Sequence, residues 1–509
     1  MEQKSLKTQV LTKEKIYNSS AEQPIDVDFS LPDYYPDINK IIKCRAVPRI
    51  SAKGMSGRNI NIDGTVTVTV IYCGENGRIC SYEYQYPFQK IFESDVDTEN
   101  TILNANVRCE YINCRAVTSR KIDIHGACGI YVSLIMRKGC DVISDIDDPD
   151  IELLRGAAPA TSPVGCAEKY LMIDEEIDLG ENQQPVSSVV RYDAQTLIKE
   201  TKILSGKAVV KGELAVTALC CTSDGVLQTV RSTIPFSQII EIESLSEECI
   251  VDTCAQVSYL EITVKPTDSG ESRCLKVDSK LMIRCESSCD NDVPVILDAY
   301  SKKYECTVEK QNVLFEKLCK NINESFVCKK NIEFQSSGVS SVADMWCDVK
   351  VSNSSAADGK ISINGTVTVT MIVYDTDNMP FLCEKPIDFE YSLNIDEKGE
   401  IKFNPFITVS SASYTLTGAD SAEVRIELNI SGALCRCETV SVVTGIKSDC
   451  EKPLARKNRS AMTIYFAQSG EKVWDIAHRY SASIGQIKQI NDIQSETILN
   501  DRMILVPMN

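Results

Sequence analysis

The hexapeptide Gly-Thr-Val-Thr-Val-Thr stands twice in this chain, at Gly64–Thr69 and again at Gly365–Thr370. Its period of two puts Val66, Val68 and Val70 on one face of a strand and Thr65, Thr67 and Thr69 on the other. Both residue types suit a pleated, half-buried surface, and the alternation predicts antiparallel sheets with one face wet. The likeness extends upstream, where Ile60-Asn61-Ile62-Asp63 matches Ile361-Ser362-Ile363-Asn364. A more divergent copy, Val210-Lys211-Gly212-Glu213-Leu214-Ala215-Val216-Thr217, lies between them, so Gly64, Gly212 and Gly365 are spaced by 148 and 153 residues. Pro87-Phe88 and Pro235-Phe236 follow their glycines at the same interval, and Pro386 marks the third copy. Three divergent copies of one unit near 150 residues long account for most of the chain.

The expected fold class is mainly β: three β-rich, sandwich-like repeats followed by a small βααβ domain. Gly74–Gly77, Ser223–Gly225 and Asp375–Asn378 supply hairpin turns. Short helical connectors are expected at Asp37–Ile42, Ile151–Arg155 and Val313–Leu318. The repeats are placed at 1–155, 164–303 and 304–450, with Gly156–Pro163 as a linker because it is rich in Gly, Ala and Pro. Residues 451–461 form a basic tether that leaves the last domain, 462–509, close but mobile.

That last segment alternates Ile464, Tyr465 and Phe466 in a first strand. Ser469-Gly470 makes a turn, with Ser469 heading a helix of Val473, Ile476, Ala477 and Tyr480 and Glu471 in its first turn. A second helix carries Ile484, Ile487 and Ile490, and Met503–Val506 closes as a strand. The run Ser469-Gly470-Glu471-Lys472-Val473-Trp474-Asp475-Ile476-Ala477, followed by Tyr480, resembles the turn-and-helix motif of LysM domains. Two positions depart from that family. Lys472 replaces the usual Thr or Ser of the sugar-contacting loop, and Leu499-Asn500-Asp501-Arg502 replaces a Pro-Gly turn. The repeats resemble SPOCS domains of spore coat proteins in Leu31-Pro32-Asp33, Pro36-Asp37-Ile38, Cys44-Arg45-Ala46, the Gly-x-Val-x-Val-Thr strands and Val295–Tyr304. SPOCS copies leading through Lys452-Pro453-Leu454 into Thr463-Ile464-Tyr465-Phe466 is the layout of clostridial coat morphogenetic proteins.

The resemblance implies a non-enzymatic scaffold in the mother-cell cytoplasm at the forespore surface. Its LysM domain would bind the ATPase of the coat basement layer, and its repeats would contact other coat proteins. The candidate partner-binding residues are Ile464, Phe466, Gly470, Lys472, Trp474 and Arg479. The alternative is a LysM domain that binds peptidoglycan or another N-acetylglucosamine polymer.

The rest of the chain offers little to catalysis. A net charge of −18 opposes nucleic acid as a main partner. Residues 451–509 carry eight basic and six acidic side chains, so the end domain differs in sign from its carrier. Met1–Lys7 has no apolar run to act as a signal peptide, and no stretch is long and apolar enough for a transmembrane helix. The 23 cysteines contain no Cys-x-x-Cys pair and mostly sit in apolar runs, where the residue serves as a small hydrophobe. With only His125 and His478, neither a metal site, a cofactor site nor a His-based nucleophile is expected. Asp147-Asp148 and Glu175-Glu176 read as solvated surface acids.

Overall fold

The computed structural model describes residues 5–508 except 76, 96–100, 181–182, 244, 267–271, 335–337, 358, 398 and 455–460. One strand order recurs three times. The first unit contains β1 (Ser5–Ser30), β2 (Ile38–Ser56), β3 (Asn59–Gly74), β4 (Ile79–Glu93), β5 (Thr101–Ala116) and β6 (Lys121–Ile146). β2, β3 and β4 form an antiparallel meander, and a second sheet has the order β1-β6-β5. The second unit repeats this with β7 (Ile151–Asp178), β8 (Val186–Leu204), β9 (Lys207–Thr222), β10 (Leu227–Glu241), β11 (Ile250–Lys265) and β12 (Cys274–Ser301). The third has β13 (Tyr304–Glu333), β14 (Val339–Ala357), β15 (Lys360–Asp375), β16 (Pro380–Asn394) and β19 (Ser421–Pro453). There β17 (Glu400–Phe403) and β18 (Phe406–Leu416) share the place of the fifth strand.

Within each unit the two sheets enclose a core. In the first, Ile60, Ile62, Val66, Val68 and Val70 of the meander are buried with Ile122, Ile124, Ile130 and Leu134 of the other sheet. The glycine landmarks have a packing reason. Gly64 pairs with Phe88, Gly212 with Phe236 and Gly365 with Phe389 across the meander. A Cβ on any of the three would come within 2.2–2.6 Å of the phenylalanine ring. The third-copy landmark is therefore Phe389, 24 residues after its glycine like the other two, rather than Pro386. Pro386 pairs with Thr368 on the outer strand of its sheet.

The first and last strands of each unit are far longer than the sandwich they close, at 26 to 33 residues. Each first strand carries an extra residue part-way along: the register skips Ile16 in β1, Val164 in β7 and Cys319 in β13. Such bulges bend a strand and sharpen its twist, and these divide each long strand into a sandwich half and a ribbon half. The three ribbons meet. Val10 and Val142 from the first, Ala158, Ala160, Val293 and Val295 from the second, and Val313, Phe315 and Val442 from the third share one buried cluster.

This corrects two expectations. Gly156–Pro163 is not a linker but part of the β7 ribbon, where small residues such as Ala158 and Ala160 suit close packing of the ribbons. Pro159 and Pro163 are tolerated because β7 is an edge strand. The expected helical connectors at 37–42, 151–155 and 313–318 are strand as well, apart from Asp37 just before β2. Val313 and Phe315 are buried while Leu314 is 44% exposed, the signature of period two in a run too short to distinguish by composition.

At the meander side the units also converge. Ile71, Leu219 and Ile372 each stand seven residues after the landmark glycine, and all three lie in one buried cluster with Ile42, Cys73, Val190 and Trp346. Equivalent residues meeting this way place the units around a common axis. Next to them, Lys43, Arg191 and Asp344 occupy equivalent register positions. Lys43 pairs with Glu384, and Arg191 Nε donates to Asp344 Oδ2 at 2.7 Å with both side chains almost wholly buried. Thr67 and Thr370 on the hydroxyl face are buried too, so the face expected to be wet is partly covered by neighbouring units.

The C-terminal segment folds as β20 (Met462–Ala467), α1 (Val473–Tyr480), α2 (Ile484–Ile490) and β21 (Arg502–Pro507), with β20 and β21 antiparallel. Asn491 ties the second helix to the sheet: its Nδ2 donates to Ile487 O and Leu505 O, and its Oδ1 accepts from Leu505 N. The helix that Ser469 is expected to head begins only at Val473, so Ser469 does not cap it. Lys472 stands at the N-cap without a side-chain cap bond. Glu471 instead accepts from Tyr465 Oη at 2.9 Å and Gln468 N at 3.0 Å. Residues 455–460 of the expected tether lie outside the described residues.

Two substitutions test this packing. Gly365→Ala, with its Cβ 2.5 Å from Lys350 O and 2.6 Å from the Phe389 ring, should cost about 1–3 kcal/mol. Asp344→Ala leaves Arg191 buried without its carboxylate and should cost about 3–5 kcal/mol. Urea unfolding followed by circular dichroism should show both as lowered midpoints, with Asp344→Ala the larger.

Candidate partner-binding surfaces

Alternation along β20 sets two faces. Tyr465 and Ala467 turn toward the helices, whereas Ile464 is 57% and Phe466 75% exposed. Their cross-strand neighbours on β21 are Leu505 and Met503. Met462, Met503 and Leu499 are exposed as well, so the outer face of this two-stranded sheet is a continuous apolar surface. Single exposed hydrophobes are ordinary; a contiguous patch marks a site that another surface covers.

The six residues singled out from sequence do not form one surface. Ile464 and Phe466 lie on the outer sheet face. Gly470 adopts φ +94° in the turn before α1, a left-handed conformation that favours glycine. Its neighbour Lys472 is exposed and bridges to Thr497. Arg479, on α1, donates to Tyr465 Oη at 3.0 Å. Trp474 faces elsewhere and is buried.

What buries Trp474 is the second repeat. Its indole packs edge-on to Tyr300 of β12 with ring centroids 5.1 Å apart, and its Nε1 donates to Asp298 Oδ2 at 3.4 Å. Tyr300 also lies 4.9 Å from the His478 ring and donates from its hydroxyl to Ala482 O at 2.6 Å. Leu154 of β7 and Met508 pack around this contact. Burial works against the charged form of Asp298. The Lys310 ammonium at 2.8 Å, the Ala299 N–H and His478 outweigh it and hold the carboxyl below the ordinary range. Burial pushes the Tyr300 phenol up. The C-terminal unit is thus seated on the ribbon of repeat two rather than loosely tethered, with its apolar face pointing away. Sequence reading placed Trp474 among the partner-binding residues; Tyr300, 174 positions earlier, gave no local signal of the contact that buries it.

Other candidates resolve simply. His125 sits between Asp26, 2.7 Å from Nδ1, and Asp123, 3.1 Å from Nε2; these carboxylates, Asp26 foremost, raise its pKa at an exposed site. Glu176 pairs with Lys265, and Asp148 accepts from Asp150 N at 2.9 Å within a turn. Among the described residues no group of three His, Cys, Asp or Glu could hold a metal ion. Among the described residues, no helix is long and apolar enough to cross a membrane. Cys249 and Cys289 are joined as a disulfide, whereas cysteines such as Cys73, Cys220 and Cys285 are free and buried as small hydrophobes.

Three like-built β sandwiches around shared ribbons, carrying a small unit with an apolar face, define a mainly β repeat protein. Comparison with family models gives it a place: the SipL, SPOCS domain family matches residues 37–117 and 185–265, from β2 through β5 and from just before β8 through β11. The first two units therefore contain SPOCS repeats of the SipL type, and the third shares their strand order. Neither the curated proteins nor the solved structures gave a match.

If Tyr300 seats the C-terminal unit, replacing it with Ala frees Trp474. In a Trp346→Phe background Trp474 is the sole tryptophan. Its emission should shift to the red on Tyr300→Ala while far-ultraviolet circular dichroism stays unchanged.

Proposed function

We propose that this protein is a non-enzymatic scaffold of spore coat assembly whose C-terminal unit, a LysM domain, docks on the coat basement-layer ATPase. The SPOCS repeats would supply contacts to other coat proteins, at the forespore surface in the mother cell. The observation that carries the reading is the outward apolar face of Met462, Ile464, Phe466 and Met503, held away from the repeats by the Trp474 contact. Aromatic and aliphatic anchors of this kind dominate protein–protein affinity. The family match supports a sporulation role.

The competing reading is a glycan ligand. In the LysM resemblance the sugar groove lies by the turn before α1 and the turn before β21. Here Ser469 Oγ donates to Leu499 O at 2.8 Å and Ser469 N to Asp501 Oδ1 at 2.7 Å, so side chains tie these turns together, and Lys472 replaces the usual hydroxyl. These features favour the protein partner.

Phe466→Arg and Ile464→Arg place a charge on an exposed surface and should leave the melting temperature nearly unchanged. Each should weaken capture of the ATPase by the purified full chain at least tenfold. Capture at wild-type strength by both would overturn the assignment of this face, and strong retention on purified cortex glycan would favour the sugar.

A further inference from the structure

Between repeats one and two lies a partly enclosed polar cavity of about 100 Å³. One wall is the hydroxyl face of the first meander, with Arg45 and Arg49 on β2, Thr67 and Thr69 on β3, and Ser81 and Glu83 on β4. The opposite wall is β8, from Val189 to Tyr192, and Tyr35 closes one side. The space suffices for several waters or one small ion.

The charge around this space is uneven. Three arginines line it against one carboxylate, Glu83, which already accepts from Tyr192 Oη at 3.0 Å. Arg45 is matched by Asp193 at 2.6 Å and Arg191 Nε by Asp344. Arg49 makes no ion pair among the described residues, and burial lowers its pKa, with the more distant Asp193 only partly offsetting this. Arg191 Nη1 has no hydrogen-bond partner; it faces Asp193 Oδ2 at 3.7 Å, beyond bonding distance, and its side chain is 3% exposed. A buried guanidinium N–H left unbonded costs free energy and calls for an acceptor. This setting is also peculiar to one interface. The register positions equivalent to Arg49 hold Leu197 in repeat two and Lys350 in repeat three, and those equivalent to Arg45 hold Asp193 and Trp346.

We infer that the cavity is an anion site that takes one small tetrahedral oxyanion, of the phosphate or sulfate class, between repeats one and two. Arg49 and Arg191 stand on facing walls as donors, with the hydroxyls of Thr67 and Thr69 between them, while Ser81 Oγ already donates to Val189 O at 3.3 Å. Donors on several sides suit an ion with acceptors in every direction rather than a planar carboxylate. The bound ion would link the two repeats through charge-assisted hydrogen bonds, which are stronger than neutral ones.

Isothermal titration of sodium phosphate into the full chain, with chloride holding ionic strength constant, tests this. The expected result is saturable binding of one phosphate per chain, displaced by sulfate. Affinity should fall at least tenfold in Arg49→Met and rise in Glu83→Gln, which removes the one carboxylate among the described residues lining the cavity. No saturable binding beyond that of chloride would show that the cavity holds water only. An affinity unchanged in both variants would place any bound phosphate elsewhere, and equal affinity for acetate would overturn the tetrahedral assignment. Glu83→Gln keeps the test decisive should Arg49→Met fail to fold.

Discussion

Antiparallel pairing between the first and last strand of each repeat is the constraint on which the rest of this structure depends. Ser5 lies opposite Ile146, Ile151 opposite Ser301 and Tyr304 opposite Pro453. These contacts join residues about 140 to 150 apart in sequence, and the loop entropy of closing them is offset only because the paired strands then bury apolar residues at both ends. Near the bulges the strands enter the sandwich, where Ile25, Ile124 and Ile130 meet the meander. Beyond them they enter the shared ribbon layer, where Val10, Ala158 and Phe315 meet one another. A repeat lacking its neighbours would expose the second set.

Packing three like units about an axis raises an electrostatic problem that three identical copies could not solve. Residues at equivalent positions face each other there, and like charges would repel across a surface of low dielectric. Divergence removes the conflict: Asp344 stands where the other two repeats carry the cations Lys43 and Arg191, and Asp193 stands where repeat one carries Arg45. A buried pair such as Arg191–Asp344 adds little net stability over a well-packed apolar pair. It contributes to order instead, since it forms only when repeat two sits beside repeat three in this register. Carrying the three units on one chain is what permits such unequal substitution.

Much of this was legible in the sequence. The Val–Thr alternation identified the meander strands, the landmark glycines set the repeat register, and the apolar spacing of Val473, Ile476 and Ala477 located the first short helix. The ribbons were not legible, because Gly, Ala and Pro at 156–163 have the composition of a linker and only their neighbours reveal why small residues are needed. Short runs such as Val313–Leu318 fit helix or strand until their burial is known. Placing the three copies side by side on Gly64, Gly212 and Gly365 would have exposed the sign changes at Lys43, Arg191 and Asp344, charges embedded in otherwise apolar stretches. The contact of Trp474 with Tyr300 had no such signal, since neither residue departs from its own element's pattern.

The strand pairing has a consequence for how such a chain can evolve in length. In linear repeat arrays each unit stacks on the last, ends need special caps, and units can be added freely. Here both termini of every unit return to the same central layer, so the assembly is a closed ring whose membership is fixed at three by the room around its axis. A fourth unit could not join without opening the centre. Growth must instead occur as appendages, and the βααβ unit seated on Tyr300, at the end of the β12 ribbon, is one.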